Sequence, residues 1–204
     1  MSNVFFISDT HIGHQKIITF GHRNFATIEE HDETIVSNWN SVVGKNDTVR
    51  HQGDVSVGGD LTDRVIDCLK RLNGKIIVVP GNHDTRAKLK KYAELGFIID
   101  TGMVEFKGDL ALTHPPVHVQ QVETRFKANI HGHLHDMNIT RKIYKGTDWV
   151  VSYNEDGTLK KCEHVPFFDE ELDPRYVNVS CEQINLTPIP FDVIKDRLRK
   201  AGVI

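Results

Sequence analysis

Two aspartates, an asparagine and several histidines stand directly after short apolar runs, and together those residue types make a metal site. Ser8-Asp9-Thr10-His11 follows Val4 to Ile7, Gly53-Asp54 follows Asp47 to His51, and Gly81-Asn82-His83-Asp84 follows Ile76 to Val79. Thr113-His114 ends the run from Leu110, and His131-Gly132-His133-Leu134-His135 ends the run from Asn129. A mixed oxygen and nitrogen set suits first-row divalent cations, whereas calcium takes oxygen alone and a thiolate zinc site needs cysteines. Two such cations about 3.5–4 Å apart clamp a phosphoryl group and bring bound water towards a pKa of about 7. A single His or Asp after a strand is ordinarily a turn residue or a cap. Five such blocks in one chain point to metal.

For the blocks to meet, the apolar runs must lie side by side, because open α/β sheets gather ligands outside the carboxyl ends of their strands. Val4-Phe5-Phe6-Ile7 is wholly apolar, as expected of a strand buried on both faces. Thr27 and Glu30 form a capping box ahead of Ile35, Trp39 and Val42/Val43, and Gly44 marks the helix end. Leu61, Val65, Leu69 and Leu72 give a second helical stripe; Arg86 to Leu95 is a polar-faced third helix. Lys88, Lys90 and Lys91 there read as a solvated face. This strand–helix alternation predicts a mainly parallel sheet. Short strands follow near Val104, at Leu110 to Thr113, at Asn129 to His131 and through residues 139–154, with a hairpin signal at Asp156-Gly157. Phe167 to Arg175 reads as an acidic surface loop, Tyr176 to Val179 as the final strand, and Phe191 to Ala201 as a helix presenting Ile194 and Leu198. Glycines before Asp54, Asn82 and His133 are expected to turn the backbone sharply.

The ordered D-x-H, GD, GNH[DE], H and GHxH blocks resemble the calcineurin-like metallophosphoesterase superfamily over residues 4–136. The ending Asn178-Val179-Ser180 is similar to a bacterial and phage subgroup. The resemblance implies an α/β fold, a four-layer α/β/β/α sandwich with a dimetal site at the C-terminal ends of the strands. Asp9, His11 and His135 would hold one metal, and Asn82, His114 and His133 the other, with Asp54 bridging both. A metal-bridging hydroxide would attack phosphorus. His83 is similar to the family histidine that stabilises the phosphoryl oxygens or protonates the leaving oxygen; Asp84 would orient it, and His11 would reach the substrate too. Manganese heads the metals this donor set admits, ahead of iron, zinc, cobalt and nickel.

The reaction expected is hydrolysis of a phosphodiester, because a diester's alkoxide leaving group benefits most from a nearby acid. A nucleotide or a nucleic-acid end is the expected substrate class. The rivals are a phosphomonoesterase and a catalytically silent scaffold; none of the seven ligands is substituted, which opposes the scaffold. His14, His22 and Arg23 lie where a substrate-facing loop belongs, and Arg23 is read either as pairing a phosphate or as forming a surface salt bridge. His51 is read as support for a ligand or as a strand histidine with its own partner.

Composition narrows the rest. With 39% hydrophobic and 26% charged residues, the 204-residue chain reads as one globular domain, 1–204. A net charge of −3 is no footprint for tight non-specific binding to nucleic acid. Val4 to Ile7 is too short for a bilayer or a signal peptide, and Cys68, Cys162 and Cys181 show no paired spacing, so a cytoplasmic protein without a membrane partner is expected. The excursion at 138–175 is expected to be a lid, a specificity element or an oligomer contact.

Overall fold

The wholly apolar β1 (Val4–Ile7) is buried on both faces because it lies between two separate apolar clusters. The computed structural model describes residues 2–21 and 23–204, without the side chains of Trp149 and His164. After β1 come α1 (Ile17–Phe20), α2 (Ile28–Val42), β2 (Thr48–His51), α3 (Asp63–Lys70), β3 (Lys75–Val78), α4 (Arg86–Glu94) and β4 (Ile98–Ile99). The second half contains β5 (Val104–Phe106), β6 (Leu110–Leu112), α5 (Val119–Thr124), β7 (Ala128–His131), β8 (Thr140–Tyr153) and β9 (Leu159–Leu172). The chain closes with β10 (Tyr176–Asn178), β11 (Ile189–Pro190) and α6 (Phe191–Lys200).

Two sheets carry the fold. The first has the order β11-β1-β2-β3-β4, with β1 to β4 parallel and β11 antiparallel to β1. The second has the order β10-β7-β6-β5, with only β5 antiparallel to its neighbour. Phe5 and Ile7 pack with Val49, Val78, Ile35 and Trp39 beneath α2 to α4. Phe6 points the other way, onto Leu112, Ile130 and Val177 of the second sheet, Val179 just after it, and Ile194 and Leu198 of α6. This mixed α/β arrangement is the predicted layered fold.

Register does the positioning. Ile7 lies beside His51 and His51 beside Val78, so the residues following all three strands emerge at one edge. Leu112 beside Ile130 and Asn178 beside His131 do the same in the second sheet. A parallel bridge between Ser8 and Ser180 joins the two edges, with Ser8 N–H donating to Val179 O at 2.8 Å. Helix starts are fixed by threonines: Thr27, Thr62 and Thr85 accept from the amides of Glu30, Val65 and Lys88, each contributing about 1 kcal/mol.

Three sequence expectations fail here. Phe167 to Arg175 is not a loop over most of its length but the second half of β9, paired antiparallel with β8, where Arg141 forks onto Glu171. The acidic run hid the strand, because cross-strand charges satisfy it. Tyr176 to Asn178 is not the final strand, since β11 returns to the first sheet. Lys88 is not solvated: at 2% exposure its ammonium donates to the carbonyls of Ser56 and His83. The residues divide into two compact units, 1–137 with 174–204, and the β8–β9 ribbon 138–173. Cys68, Cys162 and Cys181 are free. Among the described residues no helix is long and apolar enough to cross a membrane.

Candidate dimetal site

All seven residues expected to hold metal meet at the shared edge of the two sheets. Asp9, His11 and His135 bring ligand atoms within 4.8 Å of one another, as do Asp9, Asp54 and His114. His114 Nε2 lies 2.9 Å from Asn82 Oδ1, 3.2 Å from His133 Nδ1 and 3.3 Å from Asp54 Oδ2. Asn82 Oδ1 is also 3.0 Å from His133 Nδ1. Asp54 Oδ2 stands between the two groups, 3.8 Å from His11 Nε2 on its other side.

These donors fit cations. Asp9 Oδ1 and His11 Nε2 are buried without a hydrogen-bond partner among the described residues, and an unpartnered buried carboxylate oxygen is costly. They are 3.8 Å apart, too far for a hydrogen bond but within the span of two ligands bonded at about 2.0–2.2 Å to one ion. His114 Nδ1 is 2.7 Å from Gln52 O and donates to it, which turns the Nε2 lone pair towards Asn82 and Asp54. Burial opposes ionisation of Asp9, yet the rings of His11 and His114 outweigh it and hold the carboxyl well below the usual range. Burial likewise opposes a proton on His114, but Asp54 and Asp9 raise its pKa. The cluster calls for positive charge at that spot, and a divalent cation meets the demand.

The backbone is bent to present these atoms. Asp9, His11, Asp54, His133 and His135 all have positive φ, between 51° and 71°. For non-glycine residues that costs on the order of 1–2 kcal/mol each, so the surrounding fold must hold them there. The glycines do a different job from the turns expected. Of the three preceding ligands only Gly53 has positive φ; Gly81 and Gly132 permit close approach, since a Cβ there would collide with Asp54 Oδ1 and with Ser8 Oγ.

Residues 2–112 match the model of the calcineurin-like phosphoesterase family, more than half of the chain. The chain belongs to that family. Uncharacterised protein MJ1445 of Methanocaldococcus jannaschii is 28% identical to this phosphoesterase over 209 residues, covering 100% of this chain and 96% of its own. Gene 66 protein of Mycobacterium phage L5 is 44% identical over 88 residues, 41% of each chain, in keeping with the phage subgroup. The crystal structure of AQ665, a protein of unknown function from Aquifex aeolicus, is similar in fold, with a TM-score of 0.63 and 21% identity over 96% of this chain and 99% of that one. The chain is thus a phosphoester hydrolase of a dimetal-dependent family.

The phosphoesterase holds its ligands through a polar network that the sequence did not announce. Arg23, read as a phosphate ligand or a surface salt bridge, is neither at the surface nor open to a phosphate: it is 4% exposed and points inward. Its guanidinium donates to the carbonyls of Asp9 (2.6 Å) and Thr10 (3.1 Å) and to Glu182 Oε1 (2.8 Å), so it positions the first block instead. Behind it, His31 Nε2 accepts from Arg23 while His31 Nδ1 donates to Asp32 at 2.8 Å. Glu182 Oε1 also accepts from His135 Nδ1 at 3.0 Å, which leaves His135 Nε2 facing Asp9 Oδ1 at 3.9 Å. Ser180 Oγ bonds Asp9 Oδ2, and Asn178 and Gln183 amides donate to His135 O. Replacing Glu182 by Gln is expected to weaken manganese binding by about 10–100-fold, read by isothermal titration. An unchanged affinity would mean that His135 needs no carboxylate behind it.

Other expected residues are placed as follows. Asp84 does not orient the His83 ring: its carboxylate accepts from the amides of Asp54 (2.7 Å), Gly81 (2.9 Å) and Val55 (3.2 Å) and from Tyr92 Oη, locking two ligand loops together. The His83 ring is 45% exposed with Nε2 4.0 Å from Asp54 Oδ2, and its amide donates to Asp54 Oδ1 at 2.8 Å. His11, at 3% exposure, is enclosed rather than open to substrate. His14 stacks on it with Nδ1 atoms 3.2 Å apart, and burial with the nearby His11 and His83 lowers His14 to about 4. His22 lies outside the described residues. His51 bonds the Thr10 hydroxyl at 3.0 Å, between Asp9 and His11, and burial lowers its pKa to about 3.

Proposed function

We propose that this phosphoesterase hydrolyses phosphodiesters, that a nucleotide-type ester is its substrate class and that manganese is its metal. The placement of His83 carries the reading: it is tied through its backbone to Asp54, and its ring stands on the exposed side of the buried ligands. Divalent cations in the site supply the charge that stabilises phosphoryl oxygens and acidifies water. Asp54 and Asp9 set the negative charge that holds them, while Asp84 fixes the His83 loop through the Asp54 and Gly81 amides and Lys88 through the carbonyl of His83 itself. His83 is then free to hold a proton at Nε2 for a departing alkoxide, the group that needs an acid most. The donor set, oxygen and imidazole without thiolate, supports manganese. A net charge of −3 supports a small ester or a chain end over a long polyanion.

With manganese added, kcat/KM for bis-p-nitrophenyl phosphate is expected to exceed that for p-nitrophenyl phosphate by at least about tenfold. A preference for the monoester would make the protein a phosphatase. Hydrolysis of neither by metal-loaded protein would leave a binding scaffold.

A further inference from the structure

Beside the metal cluster lies a second, chemically different space. A cavity of about 400 Å³, within the roughly 300–1,000 Å³ usual for small-molecule sites, is walled by Val79, Pro80, Met103, Pro115, Pro116 and Val117. Its surroundings place it against the reacting centre: His114 lines it while turning Nε2 into the cluster, and Pro80 leads through Gly81 to Asn82. Resting on the diesterase reading, we propose that this cavity is the subsite for a flat aromatic group on the ester, an aryl substituent or a nucleobase, with the phosphorus over the metal pair.

The walls decide the class of ligand. Apart from His114, no titratable side chain lines the cavity among the described residues, so a second phosphate or a carboxylate would find no counter-charge. Three of the six walls named are prolines, which have no N–H to donate and present rigid apolar rings. Of the hydroxyls, Thr113 Oγ1 is already within 3.0 Å of Asn129 Nδ2. Val117 is held through its backbone, its amide donating to Asn129 Oδ1 and its carbonyl accepting from Tyr176 Oη, both at 2.9 Å. The Val117 and Thr113 walls are therefore held in place, and an apolar group packed against them loses water without breaking these bonds.

The test compares phosphonates, which offer one anion and cannot be hydrolysed at the P–C bond. Binding to the manganese-loaded protein is read by isothermal titration for methylphosphonate, phenylphosphonate and a thymidine 5′-phosphonate. Phenylphosphonate is expected to bind at least about tenfold more tightly than methylphosphonate, a step worth about 1.4 kcal/mol. Val117→Trp, which fills the cavity, is expected to bring that ratio near one. Thr101→Trp, on the exposed rim, is the second variant should Val117→Trp not fold, and is expected to lower the ratio. Tighter binding of the thymidine compound than of phenylphosphonate assigns the subsite to a base, and the reverse assigns it to an aryl ester. Equal affinity for the methyl and phenyl compounds in the wild type overturns the proposal. If neither diester nor monoester is hydrolysed while the phosphonates still differ, the function reading fails and the subsite stands.

Discussion

Asp54→Asn is expected to lower kcat/KM against bis-p-nitrophenyl phosphate at least about 1,000-fold, the scale of several kcal/mol of charge stabilisation. Its Oδ2 is a carboxylate oxygen placed between both ligand groups, 3.3 Å from His114 Nε2 and 3.8 Å from His11 Nε2. Its Oδ1 accepts from the His83 amide at 2.8 Å. An amide has the same shape but no charge, and its NH2 would meet either the cations or an N–H donor. The fold should survive, because the Asp54 amide is held by Asp84 and the strand register does not depend on the side chain. Circular dichroism should therefore match the wild type. Equal rates for the two proteins would end the reading of Asp54 as the shared ligand.

His83→Ala should separate acid from ligand. Turnover is expected to fall at least about 100-fold, the usual contribution of a positioned proton donor, while metal content by mass spectrometry stays that of the wild type. The ring is 45% exposed and 4.0 Å from Asp54 Oδ2, and it belongs to neither of the clustered groups Asp9-His11-His135 and Asp9-Asp54-His114. The loss should grow as the leaving alcohol becomes a poorer leaving group, because p-nitrophenolate departs without help and an alkoxide does not. Loss of metal in this variant, or a loss blind to the leaving group, would contradict the role.

What could be read in the sequence was whatever is marked locally. Val4 to Ile7 has no polar residue to place at a surface, and Thr27 with Glu30 signals a helix start before any packing exists; both stand as expected, although Glu30 reaches back to the Ala26 amide. The convergence of the seven candidate ligands was legible because Asp, Asn and His directly after apolar strands have few structural uses at that density. The supports were not. Arg23 and Glu182 are 159 residues apart, and nothing near either shows that they meet behind His135. Arg23 could be read as a phosphate ligand because a guanidinium recognises carbonyls and carboxylates by the same fork of N–H groups. Lys88 sits among lysines that are solvated, and only the packing of α4 over the His83 loop sinks that one ammonium. The positive φ at five ligand residues leaves no trace either, since the strain is imposed by neighbours distant in the chain.

Dimetal hydrolysis at this edge requires the seven convergent residues to hold two ions at once. Crystals equilibrated with manganese and measured for anomalous scattering test this directly. Two peaks per chain about 3.5–4 Å apart are expected, one among Asp9, His11 and His135 and one among Asn82, His114 and His133, with Asp54 touching both. A single peak, or peaks away from these residues in metal-saturated protein, would contradict it.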